Sequence, residues 1–322
     1  MNRELELYRK YLNQKHRERM TVSTYLSEIK MFRDFIYASK SECQSWGEVT
    51  QEDAKNFCHK LSSTGKKQRT INRYITSLRL FYDYLIVRDE VQKNPFRQID
   101  FYKISCKAPI FLNAKQVAKL VAAPMREYQI LIETLDGPKP RKHGKLIYLR
   151  DQLILEMLYY SGMKLCELLN LCDLDIDREQ MTVAISGKIG RNKSRISQLP
   201  ECVIVTFTDY ILNRNEKWPE LTLEANPKVL RNRFGGLISS RSVRRKIAHY
   251  AQKSGLHPGI SPATLRATFT LKALRNSADS ATIQYLLGFE DMSSAESYTS
   301  RFKSLLTITS YKHRPKHARS TE

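Results

Sequence analysis

Apolar residues recur at helical spacing through the first hundred positions. Across 20–38, Val22, Tyr25, Leu26, Ile29, Phe32 and Ile36 stand at offsets 0, 3, 4, 7, 10 and 14, one stripe along a helix of ~3.6-residue period. Thr50 with Asp53 three residues later has the form of a capping box and predicts a second helix start. A third helix is expected from about Arg69 to Ile86, with Ile71, Tyr74, Ile75, Leu78, Phe81, Tyr82 and Leu85 inward. It must end before Asn94-Pro95, because proline disfavours helix in the residue preceding it. The pattern breaks over 97–111 (RQIDFYKISCKAPIF). These breaks predict a helical domain over 1–100, a linker over 101–111 and a second domain over 112–322.

In the second domain Asn113 is a candidate N-cap for a helix beginning AKQVAKLVAA, and another helix covers 149–162. Residues 134–147 (TLDGPKPRKHGKLI) have loop chemistry and read as an insertion. Residues 180–200 change to a period of two around Gly187 and Gly190, the pattern of a β-hairpin. Its turn is loaded with Lys188, Arg191, Lys193 and Arg195. Helices resume after Pro200, and the tail YKHRPKHARSTE is basic and expected to fray. The fold class is therefore mostly α with a small β-hairpin or sheet in the C-terminal domain.

Charge adds a partner to this picture. The 322 residues hold 54 Lys plus Arg against 33 Asp plus Glu, a net +21, with 41% hydrophobic residues to build cores. An excess this large points to a polyanion, nucleic acid before a membrane surface. No apolar run approaches the ~18 residues of a membrane span, and MNRELELYRKYL lacks a signal-peptide core. Lys66, Lys67, Arg69 and Arg73 surround Gly65 at the start of the third helix and are candidate phosphate contacts. The six cysteines form no CxxC pair and no finger-like spacing with histidine, so no metal site is expected. They read as reduced thiols of a cytoplasmic protein.

Four ordered segments then carry a resemblance. LRDQLILEMLYYSGMKLCELLNLCDLDID is similar to the segment holding a GLRxSEL motif in tyrosine recombinases of the phage integrase family. SGKIGRNKSRISQLP resembles their GKGNKxRxVPL hairpin, with one extra residue here. ISPATLRATFTLKAL resembles the SPHxLRHxFAT box, and YLLGFEDMSSAESYTSRF resembles LLGHxxxxxTxxYTH. Before them, TVSTYLSEIKMFRDFI, VTQEDAKNFCHKL and TINRYITSLRLFYDYL resemble the family's helical, SAM-like core-binding domain. The resemblance spans nearly the whole chain. It implies a two-domain clamp on duplex DNA and a tetramer, of one or two kinds of chain, on paired sites.

The resemblance also implies roles. Tyr298 stands at the nucleophile, Arg266 at the second arginine and Lys188 at the hairpin lysine, while Lys164 occupies the first arginine position. Ala263 and Phe289 replace two histidines. The family's reaction joins a tyrosine to a 3′-phosphate and frees a 5′-hydroxyl, with no metal and no cofactor implied. A phenol of reference pKa ~10 then needs a proton acceptor, the phosphoryl charge needs cations and the leaving oxygen needs an acid. His249 and His257 are candidate stand-ins for the histidine missing at Ala263. Lysine supplies charge without arginine's bidentate fork. Two readings stay open: a divergent active recombinase, or a catalytically silent DNA-binding relative. A type IB topoisomerase is a third. The segment SLLTITSYKHR, with Leu305, Leu306, Ile308 and Tyr311, is expected either to dock on a neighbouring subunit or to pack at home.

Overall fold

A computed structural model describes residues 1–16, 19–40, 42–104, 109–134, 144–187 and 194–302. The chain divides into two compact units, Met1–Cys106 and Lys107–Glu322. Among the described residues no helix is long and apolar enough to cross a membrane. The expected hairpin tip with Lys188, Arg191 and Lys193, and the segment after Arg301 expected to dock, lie outside the described residues.

The first unit holds helices α1 (Asn2–Gln14), α2 (Arg19–Ser39), α3 (Gln51–Ser63) and α4 (Gln68–Val87). The stripe on α2 is the reason it packs: Val22, Ile29, Phe32 and Ile36 are buried, with Tyr25 and Leu26 partly buried beside them. All seven inward residues expected on α4 are buried. Their rings interlock with those of α2 and α3. Phe32 meets Phe57 at 4.9 Å and Phe96 at 5.0 Å, both edge-on, and Trp46 meets Phe81 at 4.9 Å. Such pairs add about 0.5–1.5 kcal/mol each beyond their buried area. Thr50 caps α3 as expected, its hydroxyl accepting the Asp53 N–H at 3.2 Å. Burial opposes ionisation of Asp53, but hydrogen bonds from Lys40 and Thr50 outweigh it and hold the carboxyl below its usual range.

The end of this unit is tied down as well. Arg79 donates to the carbonyls of Phe96 and Ile99, and Asn94 bonds the Arg79 carbonyl at 3.1 Å. Within the expected linker, Tyr102 exchanges two 2.8 Å hydrogen bonds with the Asn72 side chain. Residues 101–104 therefore run along α4 without helix or strand.

The second unit begins with α5 (Ala114–Thr134), where Asn113 and Gln116 cap each other reciprocally at 2.9 Å. Helix α6 (Gly144–Tyr160) is the central rod, packed by α5, by α8 (Glu201–Lys217) and by α10 (Pro262–Arg275). The stretch expected to loop over 134–147 is helical at both ends. Thr134 still belongs to α5, and 144–147 belong to α6 because Leu146 and Leu149 continue its buried face. Next come α7 (Leu165–Asn170) and the strands β1 (Ile176–Asp177), β2 (Thr182–Ile185) and β3 (Arg195–Gln198). They form one antiparallel sheet in that order, with Val183 opposite Ser197 and Ile185 opposite Arg195. Period two holds on both long strands. On β3, however, Arg195 and Ser197 face inward while Ile196 faces solvent. After α8 the chain runs through α9 (Ser240–Lys253), α10, α11 (Ser280–Leu287) and α12 (Met292–Thr299).

Charged groups are buried in this unit, and each has a partner except at one oxygen of Glu156. Arg214 on α8 is fully covered and forks onto Asp173 at 2.8 and 2.5 Å. Glu156 faces α8 from α6 and accepts the Gln152 amide at 2.8 Å on one oxygen. Its other oxygen has no hydrogen-bond partner among the described residues. Burial pushes its carboxyl up to about 7, opposed in part by Gln152 and Thr206. The unfolded chain ionises near 4.5 while the folded one holds its proton, so stability must fall as pH rises between those values. The full loss is about 3 kcal/mol. Glu156→Gln should remove this slope in urea unfolding between about pH 5 and pH 7. An unchanged slope would show that Glu156 does not control it.

Candidate active site

The turn after α6 begins the site. Gly162 adopts φ +61°, and a Cβ there would meet the Phe269 ring at 2.4 Å, so both conformation and packing require glycine. Two residues later Lys164 is the N-cap of α7, half-buried, with its N–H bonded to Glu167 at 2.7 Å. Arg266 reaches this turn from α10, whose start is set by Ser261 as N-cap and Pro262 in the first turn. It donates to the Gly162 carbonyl at 2.6 Å and to the Leu287 carbonyl at 2.7 Å. Leu287 is the last residue of α11, which Gly288 closes in the left-handed conformation. Phe289 follows that cap, and the Arg266 guanidinium lies 5.7 Å from its ring centre. The Phe289 ring in turn packs on Tyr298 at 5.5 Å. The structure thus brings Lys164, Arg266, Phe289 and Tyr298 into one cluster.

Electrostatics inside the cluster follow from burial. Burial pushes Arg266 down to about 10, with Arg195 adding to the shift and Glu167 and Tyr298 opposing it. Burial also lowers Lys164, helped by Arg266 and opposed by Glu167 and Cys166. Arg266 remains cationic at neutral pH. Tyr298 stands on α12, whose start Asp291 caps by accepting the Ser294 N–H at 2.7 Å. Phe302 beyond it is fully buried against Ala267 and Leu271 of α10. An open cavity of about 450 Å³ lies beside Tyr298, lined also by Phe289, Ser293, Ser294, Ser297 and Arg301.

One expected DNA contact is corrected. Arg195 is 4% exposed and forks onto Glu167 at 3.3 and 2.8 Å, while its Nε donates to the Leu286 carbonyl at 2.9 Å. No donor faces solvent, so Arg195 supports the site from behind. The hairpin's charge run concealed this because period two alone does not say which face meets the core. Ala263 is exposed on α10 and carries no proton-transfer group. The stand-in histidines are held elsewhere: His249 pairs with Glu127 at 2.7 Å, and His257 accepts the Gly259 N–H at 2.9 Å.

In the first unit Lys66, Lys67 and Arg69 are exposed around the start of α4. Arg73 is half exposed, with its Nε on Glu28 at 2.5 Å. Sequence reasoning passed over Glu167, whose signal was its place in GMKLCEL. It also passed over Arg241, Arg244 and Arg245, exposed on α9 opposite the buried Val243, Ile247 and Tyr250. Their three- and four-residue spacing marks one polar helix face.

The phage integrase family model matches residues 111–304, and the phage integrase N-terminal SAM-like domain matches residues 5–89. The chain belongs to the phage integrase family, the tyrosine recombinases. This recombinase is 28% identical to the tyrosine recombinase XerC of Listeria welshimeri over 320 residues, 98% of this chain and 100% of that one. It is 26% identical to XerC of Bacillus subtilis (strain 168) over 313 residues, covering 97% and 96%. Its fold is shared with the XerH site-specific recombinase bound to difH substrate, at a TM-score of 0.67 and 18% identity over 95% of this chain and 83% of that one. It is shared also with a lambda integrase dimer bound to a COC′ core site, at 0.65 and 15% over 100% and 98%.

Removing Arg195 leaves buried Glu167 without its guanidinium counter-charge. Arg195→Ala should therefore cost the recombinase about 3–5 kcal/mol in urea unfolding, whereas Arg69→Ala should change stability by under ~0.5 kcal/mol. Equal stabilities for the two variants would return Arg195 to the solvent-facing, DNA-contacting role.

Proposed function

We propose that this tyrosine recombinase cleaves and rejoins double-stranded DNA at specific sites through a 3′-phosphotyrosyl intermediate on Tyr298. The observation that carries the reading is the cluster itself: Arg266, fixed on two carbonyls, lies 5.7 Å from a Phe289 ring that packs on Tyr298. In the step, the Tyr298 oxygen bonds to phosphorus and loses its proton to solvent base. The bond from phosphorus to the 5′-oxygen breaks, and that oxygen leaves as a hydroxyl with a proton from Lys188, the family's hairpin position. Arg266 and Lys164 balance the negative charge that builds on the non-bridging oxygens. Rejoining is the same step reversed.

The net charge of +21 supports binding through phosphates, and Lys66, Lys67, Arg69, Arg73, Arg191 and Lys193 are our candidate contacts in sequence. The arginines of α9 join them. These contacts set position on the duplex without naming its sequence. The reading extends to a tetramer of one or two kinds of chain on paired DNA sites, acting in the cytoplasm. A lambda integrase dimer on its core site offers a partial precedent. Exposed Ala263, which can neither accept nor donate a proton, favours a second reading, a DNA-binding relative that no longer cleaves.

A covalent-trapping assay separates the two. The protein is incubated with a supercoiled plasmid carrying the gene's own flanking DNA and then run on a denaturing gel. A protein–DNA adduct that disappears in Tyr298→Phe is expected; tight binding with no adduct would favour the silent relative. Lys164→Arg restores the bidentate fork and should raise the adduct rate about 10²-fold, the usual weight of one transition-state donor. A slower Lys164→Arg enzyme would show that the site has been rebuilt around lysine.

A further inference from the structure

The segment after the nucleophile carries a cation that no assigned role uses. Arg301 lies three residues beyond Tyr298, in a short 3-10 turn, Ser300–Phe302, that continues α12. Its guanidinium carbon is 5.9 Å from the centre of the Tyr298 ring, a cation–π distance that steadies the fork without neutralising it. Asp291 pins the start of α12, and buried Phe302 pins the residue after Arg301. Tyr298 and Arg301 are therefore held in fixed relation on one wall of the open cavity.

The other guanidiniums near the nucleophile are occupied. Arg266 gives Nη1 and Nη2 to the carbonyls of Gly162 and Leu287, and Arg195 gives its donors to Glu167 and Leu286. Arg301 is exposed. Among the described residues no carboxylate pairs with it and no group accepts a hydrogen bond from it. An exposed arginine with no partner among the described residues, beside a nucleophile, suits a phosphodiester, whose two non-bridging oxygens can accept its parallel N–H donors. At the same time the positions that would donate to phosphate in the family hold Ala263 and Phe289.

We propose that Arg301 is a further catalytic residue, binding a non-bridging oxygen of the scissile phosphate from the Tyr298 side in place of the donors absent at Ala263 and Phe289. The inference rests on the recombinase reading and names an additional group for that site. No bond forms or breaks at Arg301, and it stays protonated throughout. Its donors strengthen as the Tyr298–phosphorus bond forms and charge accumulates on the phosphoryl oxygens. An arginine attracting DNA in general would not act at saturating protein, and a merely structural one would leave the salt slope unchanged.

The test uses the full chain and one duplex cut from the gene's flanking DNA, end-labelled. Single-turnover adduct formation is timed at saturating protein for wild type, Arg301→Ala and Arg301→Lys. Binding of the same duplex is followed against salt in the Tyr298→Phe background, with and without Arg301→Ala. Expected are about a 10²-fold slower adduct for Arg301→Ala, an intermediate rate for Arg301→Lys, and a log–log salt slope smaller by ~0.9. An unchanged slope, or an adduct rate that recovers fully at saturation, overturns the proposal. If no protein forms an adduct, the recombinase reading fails, and the salt slope alone decides whether Arg301 binds a phosphate.

Discussion

Two buried arginines hold the site of this protein together. Arg195 and Arg266 come from a strand and a helix far apart in the chain, yet they donate to adjacent carbonyls, Leu286 and Leu287, at the end of α11. A helix C-terminus has unsatisfied carbonyls and partial negative charge, so cations are stabilised there. Each arginine has a second attachment: Arg195 to Glu167 on α7, Arg266 to the turn at Gly162. Strand, turn and three helices are thereby fixed to one another by two planar forks. Burying a guanidinium is costly unless its donors are met, and here carbonyls and a carboxylate meet them. The arrangement is correspondingly intolerant of losing one partner.

Chemistry inherits that rigidity. Phe289 is placed by the cap that Arg266 supports, and Tyr298 is placed by Phe289, Asp291 and Phe302. Tyr298 is therefore held by two aromatic rings and by a helix start that a carboxylate caps. What has changed at Ala263, Phe289 and Lys164 is the supply of donors and proton-transfer groups, while the scaffold that orients them is intact. A phosphoryl transition state is sensitive to preorganised charge more than to any one covalent helper. On the proposed reading, activity turns on whether Lys164, Arg266, Lys188 and Arg301 approach the same phosphate.

Much of the fold was legible in residue order. The stripe on α2, the Thr50–Asp53 cap and the seven inward residues of α4 each follow from local periodicity or local hydrogen bonding, which sequence displays directly. The same holds for the reciprocal Asn113–Gln116 cap and for the three motifs that placed Lys164, Arg266, Phe289 and Tyr298 in order. The length of the 134–147 loop was misjudged because Gly144 and Lys145 look like loop residues, although Leu146 and Leu149 bring them into a helix.

Charge was the property that sequence read least well. Arg195 and Arg69 are both arginines in basic stretches, and only one of them meets solvent. Sequence by itself determined that this is a basic, two-domain, mostly helical protein with a recombinase-like order of motifs, because periodicity and motif spacing are local. Tertiary structure alone decided that Arg195 turns inward to Glu167, that His249 is held by Glu127, and that Arg301 lies exposed beside the Tyr298 ring. Those outcomes depend on which residues distant in sequence meet across packed elements, and a side chain's burial and partners are properties of that meeting.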